Sequence, residues 1–208
     1  MKIAVIADGS MKEELLAQGL GENASIEWLS GISLVAGAEC YIDLLFDGTS
    51  ERLDKLAQRS PAFIIVNELV KTLPELPGVL ARINGWPGFL KRTLVEVSSP
   101  PGRSREDAEK IFAVFNKTTE WVNDIPGLIS ARVISMIINE AYHALEENVS
   151  TKQEIDTAMK LGTNYPYGPF EWSEKIGLEK VYHLLHVMAK QNARYEPSAL
   201  LKKEAIPS

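Results

Sequence analysis

Short apolar runs alternate with helix-period segments over the first hundred residues. Ile3–Ile6 is rich in β-branched residues and ends in the turn sequence Ala7-Asp8-Gly9-Ser10. Met11–Gln18 then reads as a helix stopped by Gly19. Ser25–Leu29 and Ile42–Phe46 are the next strands, and Asp47-Gly48-Thr49-Ser50 leads into a helix over Glu51–Gln58 with Ser50 as its cap. Phe63–Val66 is an unbroken Phe-Ile-Ile-Val of the kind a doubly covered parallel sheet requires. Val79–Ile83 and Leu94–Val97 are weaker strands. Strand and helix in alternation predict βα units on a largely parallel sheet.

The pattern changes at Ser98-Ser99-Pro100-Pro101-Gly102, which continues neither helix nor strand. Beyond it the apolar period is helical. Ser104 opens a helix over Arg105–Asn116, and a short extended piece covers Thr119–Val122. A long helix over Leu128–Glu147 places Ile129, Val133, Met136, Ile137, Ala141 and Leu145 at helical spacing. Ser150 with Gln153 forms a capping box for Thr151–Leu161, which Gly162 ends. Phe170–Ile176 and Leu178–Gln191 are further helices separated by Gly177. The reading is two domains, an α/β domain over residues 1–99 and an all-helical one over 100–208.

Composition narrows the function classes. The 208 residues carry a net charge of −6. Neither half is basic: nine basic side chains face thirteen acidic ones over 1–100, and thirteen face fifteen over 101–208. That argues against a nucleic-acid partner. The one cysteine, Cys40, excludes a disulfide framework and a thiolate zinc site, and fits a cytoplasmic location. The apolar start is too short for a signal-peptide core, and no stretch is long enough to span a membrane, so no membrane partner is expected.

The first turn has the place of a phosphate-binding loop. A dinucleotide fingerprint sets three glycines there, where pyrophosphate meets a helix N-terminus. Here Gly9 is the one glycine, with Ser10 and Met11 following it. The first and third positions are Ala7 and Lys12, and Asp8 adds a negative charge. Gly9, Ser10 and Met11 are the candidate cofactor-binding residues, beside the plainer reading of a structural turn. The second strand offers Glu27 as the ribose-holding acid. His143, His183 and His186 supply a pair three residues apart but no third metal ligand. Arg52, Lys55 and Arg59 read as a solvated basic face.

Two stretches carry a resemblance. Glu154-Ile155-Asp156-Thr157-Ala158-Met159-Lys160-Leu161-Gly162, followed by Tyr165-Pro166-Tyr167-Gly168-Pro169-Phe170-Glu171, closely resembles the C-terminal domain of 3-hydroxyacyl-CoA dehydrogenases. Asp124-Ile125-Pro126-Gly127-Leu128-Ile129, Asn139-Glu140-Ala141, Leu94-Val95-Glu96-Val97 and Tyr195-Glu196-Pro197-Ser198 fall in the order of that family's motifs. The likeness runs from about residue 82 to 203 and is looser before it.

The resemblance implies a shortened Rossmann-like domain, with a mainly parallel sheet, followed by the family's helical domain. It implies an oxidoreductase of fatty-acid or hydroxybutyryl-CoA metabolism, NAD as cofactor if the activity is retained, an acyl-CoA or other small-molecule ligand, and a homodimer formed through the helical domain. In the family a histidine is the general base, a glutamate orients it, and a serine and an asparagine contact the substrate oxygen. Position by position, Glu96 falls on the glutamate. The histidine falls on Asn84, the serine region on Asn67-Glu68-Leu69, and the asparagine on Ala131. Asparagine takes up no proton near neutral pH, so Asn84 offers only hydrogen bonds. Glu96 is then either a structural residue at a strand end or a base in its own right. The candidate catalytic residues are Glu96 and Asn84. Two functions stand: a diverged member that has lost the histidine-dependent NAD chemistry while keeping an acyl-CoA-like cleft, or an active dehydrogenase with a rearranged site. The shortfall in the cofactor domain is expected between Leu29 and Ile42, where an outer helix and strand belong.

Overall fold

The computed structural model describes residues 1–21 and 24–206, which form two compact units, Met1–Leu128 and Ile129–Ser208. The first unit holds a seven-stranded sheet. In chain order its elements are β1 (Lys2–Ile6), α1 (Gly9–Leu16), β2 (Ser25–Leu29), β3 (Cys40–Asp43), α2 (Ser50–Ala57), β4 (Phe63–Asn67), β5 (Ala81–Ile83), β6 (Leu94–Ser98), α3 (Arg103–Ala113) and β7 (Thr118–Trp121). Across the sheet the strands run β2-β1-β3-β4-β5-β6-β7. Every pairing is parallel except β5 with β6.

The two-residue period of the strands builds two cores. Ile3, Val5, Ile42, Ile65, Ile83, Val95 and Val97 face one side with Leu15 of α1 and Ile111, Phe112 and Phe115 of the α3 region. Ala4, Ile6, Tyr41, Ile64 and Val66 face the other with Leu56 of α2 and Leu76. Burial on both faces explains why Phe63–Val66 is apolar without alternation.

The shortfall falls where expected. A full doubly wound sheet has the order 3-2-1-4-5-6. Here residues 30–39 pass from β2 to β3 with no helix or strand, and β3 pairs directly with β1. β2 is therefore an edge strand, and the strand normally outside it is missing.

The domain boundary expected at residue 99 moves to 128. The Pro-Gly run does break the chain, but α3 returns it to the same sheet, and β7 pairs with β6. Two helix caps of this unit also differ from expectation. Thr49, not Ser50, caps α2, and Gly102, not Ser104, precedes α3.

The second unit contains α4 (Ser130–Glu146), α5 (Lys152–Thr163), α6 (Pro169–Ile176), α7 (Leu178–Ala189) and α8 (Ala199–Ala205). Its capping box is Thr151 with Glu154, one residue beyond the expected pair. α4 packs on α6, α7 and α8 through Ile134, Ile138, Ala141 and Tyr142. α5 passes through Gly162 to Thr163 and ends at Asn164, which takes the left-handed conformation a helix stop requires. The Asp156 carboxylate accepts from the backbone N–H of Phe170 (2.8 Å) and Glu171 (3.2 Å) and so caps α6. A Cβ at Gly168 would overlap that carboxyl group. The two motif residues thus fit each other.

Candidate functional site

In an open α/β sheet a ligand sits beyond the C-terminal strand ends, where the strand order reverses. Here that point lies between β1 and β3. Gly9, Ser10 and Met11 form the first turn of α1. Asp8 is the cap of α1, and its carboxylate accepts from Met11 N–H at 2.8 Å. A donor that a pyrophosphate would use is therefore already bonded, and to an anion. A Cβ built on Gly9 meets nothing within 4 Å, so nothing in the fold itself demands glycine there. Glu27 lies in mid-strand opposite Ala4, 4.0 Å from Lys2 Nζ, rather than at the end of β2. With the outer strand missing as well, these residues do not fit a bound dinucleotide.

β5 and β6 pair antiparallel, with Arg82 opposite Ser98 and Ile83 opposite Val97. Asn84 follows the last residue of β5, and Glu96 lies within β6 next to Val97. Asn84 is buried, at 3% exposure. Its Oδ1 accepts from Trp86 N–H at 3.1 Å, which fixes the amide plane. Its Nδ2 is buried with no hydrogen-bond partner among the described residues. Such a donor costs about 1–3 kcal/mol when left unpaired. Glu96 is half-buried, opposite Glu120 of β7 in the parallel register.

The surrounding segments are fastened in place. Asn67 Nδ2 donates to Leu44 O (3.1 Å), and Asn67 Oδ1 accepts from Gly85 N–H (2.8 Å). A Cβ on Gly85 would come within 2.7 Å of the Asn67 side chain, so glycine there permits this close approach. Glu68 Oε1 accepts from Val70 and Lys71 N–H, at 2.6 and 3.0 Å. Asn67-Glu68-Leu69 thus shapes a turn and offers no hydroxyl. Gly88 N–H donates to Glu14 of α1 (2.7 Å), and Gln18 Nε2 to Lys91 O (2.8 Å). The buried Lys117 ammonium donates to Leu90 O and to Arg92 O at 2.7 Å, and burial pushes its pKa down.

The other sequence candidates serve structure. Arg52 grips the buried Asp43 through two 2.7 Å bonds, while Lys55 pairs with Glu51. Burial, opposed by the Arg52 hydrogen bond, raises the Asp43 pKa. Ala131 is buried in α4, and Arg132 donates to Tyr195 Oη at 2.7 Å. His143 lies 3.6 Å from Glu146, and His186 stacks on Tyr182. Among the described residues no group of three or more His, Cys, Asp or Glu side chains is placed to hold a metal. No described helix is long and apolar enough to cross a membrane. A cavity of about 380 Å³, lined in part by Cys40, Phe63, Leu80 and Ile111, lies at the opposite, N-terminal ends of the strands.

Sequence reasoning missed Arg82, which is fully buried on β5. It donates to Asp124 Oδ1 (2.5 Å), Ile125 O (2.6 Å) and Glu68 O (3.3 Å). Asp124 also accepts from Leu73 N–H at 2.8 Å. A charged residue inside an apolar strand was the available signal.

The chain is similar to known proteins in sequence and in fold. Residues 127–205 match the family model of the 3-hydroxyacyl-CoA dehydrogenase C-terminal domain. The chain is 42% identical over 206 residues to the 3-hydroxyadipyl-CoA dehydrogenase of Escherichia coli K12, covering 94% of this chain and 43% of that protein. It is 37% identical over 115 residues to a probable 3-hydroxybutyryl-CoA dehydrogenase of Bacillus subtilis, covering 53% of this chain and 40% of that one. The solved (S)-3-hydroxybutyryl-CoA dehydrogenase of Ralstonia eutropha has the same fold, with a TM-score of 0.77, 17% identity, and coverage of 97% of this chain and 92% of that one. The chain spans less than half the length of these two curated relatives. Residues 127–205 thus match the C-terminal domain of the 3-hydroxyacyl-CoA dehydrogenase family, and the chain as a whole is similar in sequence and fold to proteins of that family.

Proposed function

We propose that this chain is a diverged member of the family that binds an acyl-CoA-like ligand through a carbonyl oxygen and transfers no hydride. The observation that carries this reading is Asn84. It stands at the position of the family's base, its Oδ1 is committed to Trp86 N–H, and its Nδ2 is a buried donor without a partner. An amide so held can donate to a carbonyl but can accept no proton. The Asp8 cap and the missing outer strand support the absence of NAD chemistry.

The resemblance that sets Glu96 on the family's glutamate supports a second reading. In it Glu96 is the base, Asn84 is the carbonyl donor, and the chain is an NAD-dependent dehydrogenase with a rearranged site.

Titration calorimetry separates them. Acetoacetyl-CoA is expected to bind the wild type and to bind Asn84→Leu about tenfold more weakly, as loss of one hydrogen bond of about 1.4 kcal/mol requires. NADH is expected to give no heat. Absence of acetoacetyl-CoA binding overturns the first reading, and micromolar NADH affinity favours the second.

A further inference from the structure

The cavity of about 380 Å³ at the N-terminal ends of the strands has no part in the function proposed above. Its floor is one end of a sheet core. Cys40 and Phe63 are the first residues of β3 and β4, Leu80 precedes β5, and Ile111 comes from α3. Cys40, Phe63 and Ile111 keep at most 8% exposure. Protein cores are close-packed, and side chains that line a gap forgo contacts on that side. The volume lies within the range of small-ligand pockets, about 300–1,000 Å³. At about 30 Å³ per water it is the room of about a dozen waters, and so of a molecule of about a dozen heavy atoms.

The rim carries charges of both signs. Glu39 is committed: its Oε1 accepts from Lys2 N–H at 2.9 Å and lies 3.8 Å from the Met1 amine. Arg103 and Asp107, one turn apart on α3, are held more loosely. Arg103 Nε lies 3.6 Å from Asp107 Oδ2, and Lys110 Nζ lies 3.6 Å from Asp107 Oδ1, both longer than a hydrogen bond. A guanidinium and a carboxylate thus stand side by side above an apolar floor, each with capacity for a further partner. A ligand with a single charge satisfies one of them and meets the other as a like charge. A ligand with an ammonium and a carboxylate on one carbon satisfies both.

From this we infer that the cavity is a binding site for an α-amino acid with an apolar side chain. The side chain lies on the floor, the carboxylate against Arg103 and the ammonium against Asp107. Asn84 follows the C-terminal end of β5, at the other end of the sheet, so neither site depends on the other. Apolar burial supplies most of the affinity, because the Arg103 side chain is 92% exposed and exposed ion pairs contribute little.

Calorimetric titration of the whole chain with L-phenylalanine tests this, and saturable one-to-one binding is expected. Glycine keeps both charges without the side chain and is expected to bind at least tenfold more weakly. 2-Phenylethylamine and 3-phenylpropanoate keep the ring with one charge each, and are expected to bind about threefold more weakly. Arg103→Gln and Asp107→Asn are each expected to weaken L-phenylalanine binding by a similar factor, with circular dichroism unchanged because neither side chain is buried. The inference is overturned if L-phenylalanine gives no saturable heat up to about 10 mM. It is equally overturned if either single-charge analogue binds as tightly as L-phenylalanine, or if the folded variants bind it like the wild type.

Discussion

Replacing Arg82 with methionine tests what holds the end of the sheet unit together. The side chain is fully buried, and its guanidinium bonds Asp124, Ile125 O and Glu68 O. Methionine keeps much of the apolar stem but leaves both carbonyls and the carboxylate without that donor. Removing one partner of a buried pair costs about 3–5 kcal/mol. Asp124 keeps 26% side-chain exposure and its bond from Leu73 N–H, so the lower end, about 3 kcal/mol, applies. For a unit of this size, roughly 3–5 °C of melting temperature goes with each kcal/mol, so the drop is on the order of 10 °C. Urea unfolding followed by tryptophan fluorescence reads it, since Trp28, Trp86 and Trp121 all lie in the sheet unit. Arg82→Met with Asp124→Leu removes both charges, and is expected to be more stable than Arg82→Met alone. A single variant within about 1 kcal/mol of wild type, or a double variant less stable than the single, refutes the reasoning.

Three further outcomes follow from the same geometry. Gly168→Ala drives a methyl into the Asp156 carboxyl group and uncaps α6, so it is expected to lose about 2–4 kcal/mol in urea unfolding of the helical unit. Burial lowers the Lys117 pKa, so between the folded and the ordinary lysine value the unfolded chain binds more protons; the advantage of wild type over Lys117→Met grows as pH rises toward the ordinary lysine value of about 10.5, read by denaturation at each pH. Burial raises the Asp43 pKa, so the stability it gives is complete below the ordinary carboxylate range and lost as pH rises through the folded value; the deficit of Asp43→Asn is expected to shrink as pH rises above the ordinary value of about 4.

The strands were legible as short, unbroken apolar runs in Ile3–Ile6 and Phe63–Val66, which follow from both sheet faces being covered. The missing outer strand was legible as a distance too short between Leu29 and Ile42. The unit boundary was not. Pro100-Pro101-Gly102 breaks the backbone, but only packing shows that α3 returns to the same sheet. The antiparallel β5–β6 step was also hidden, because an apolar run does not record strand direction. It is this step that puts β6, which carries Glu96, beside β5, which Asn84 follows. Arg52 looked like part of a solvated face because spacing alone cannot show that Asp43, nine residues away, lies buried within reach.

The proposal that the chain transfers no hydride is tested most directly by following NADH absorbance with the purified chain and excess acetoacetyl-CoA. The account predicts no NADH consumption above the rate without protein. Sustained oxidation that Glu96→Gln abolishes would contradict it.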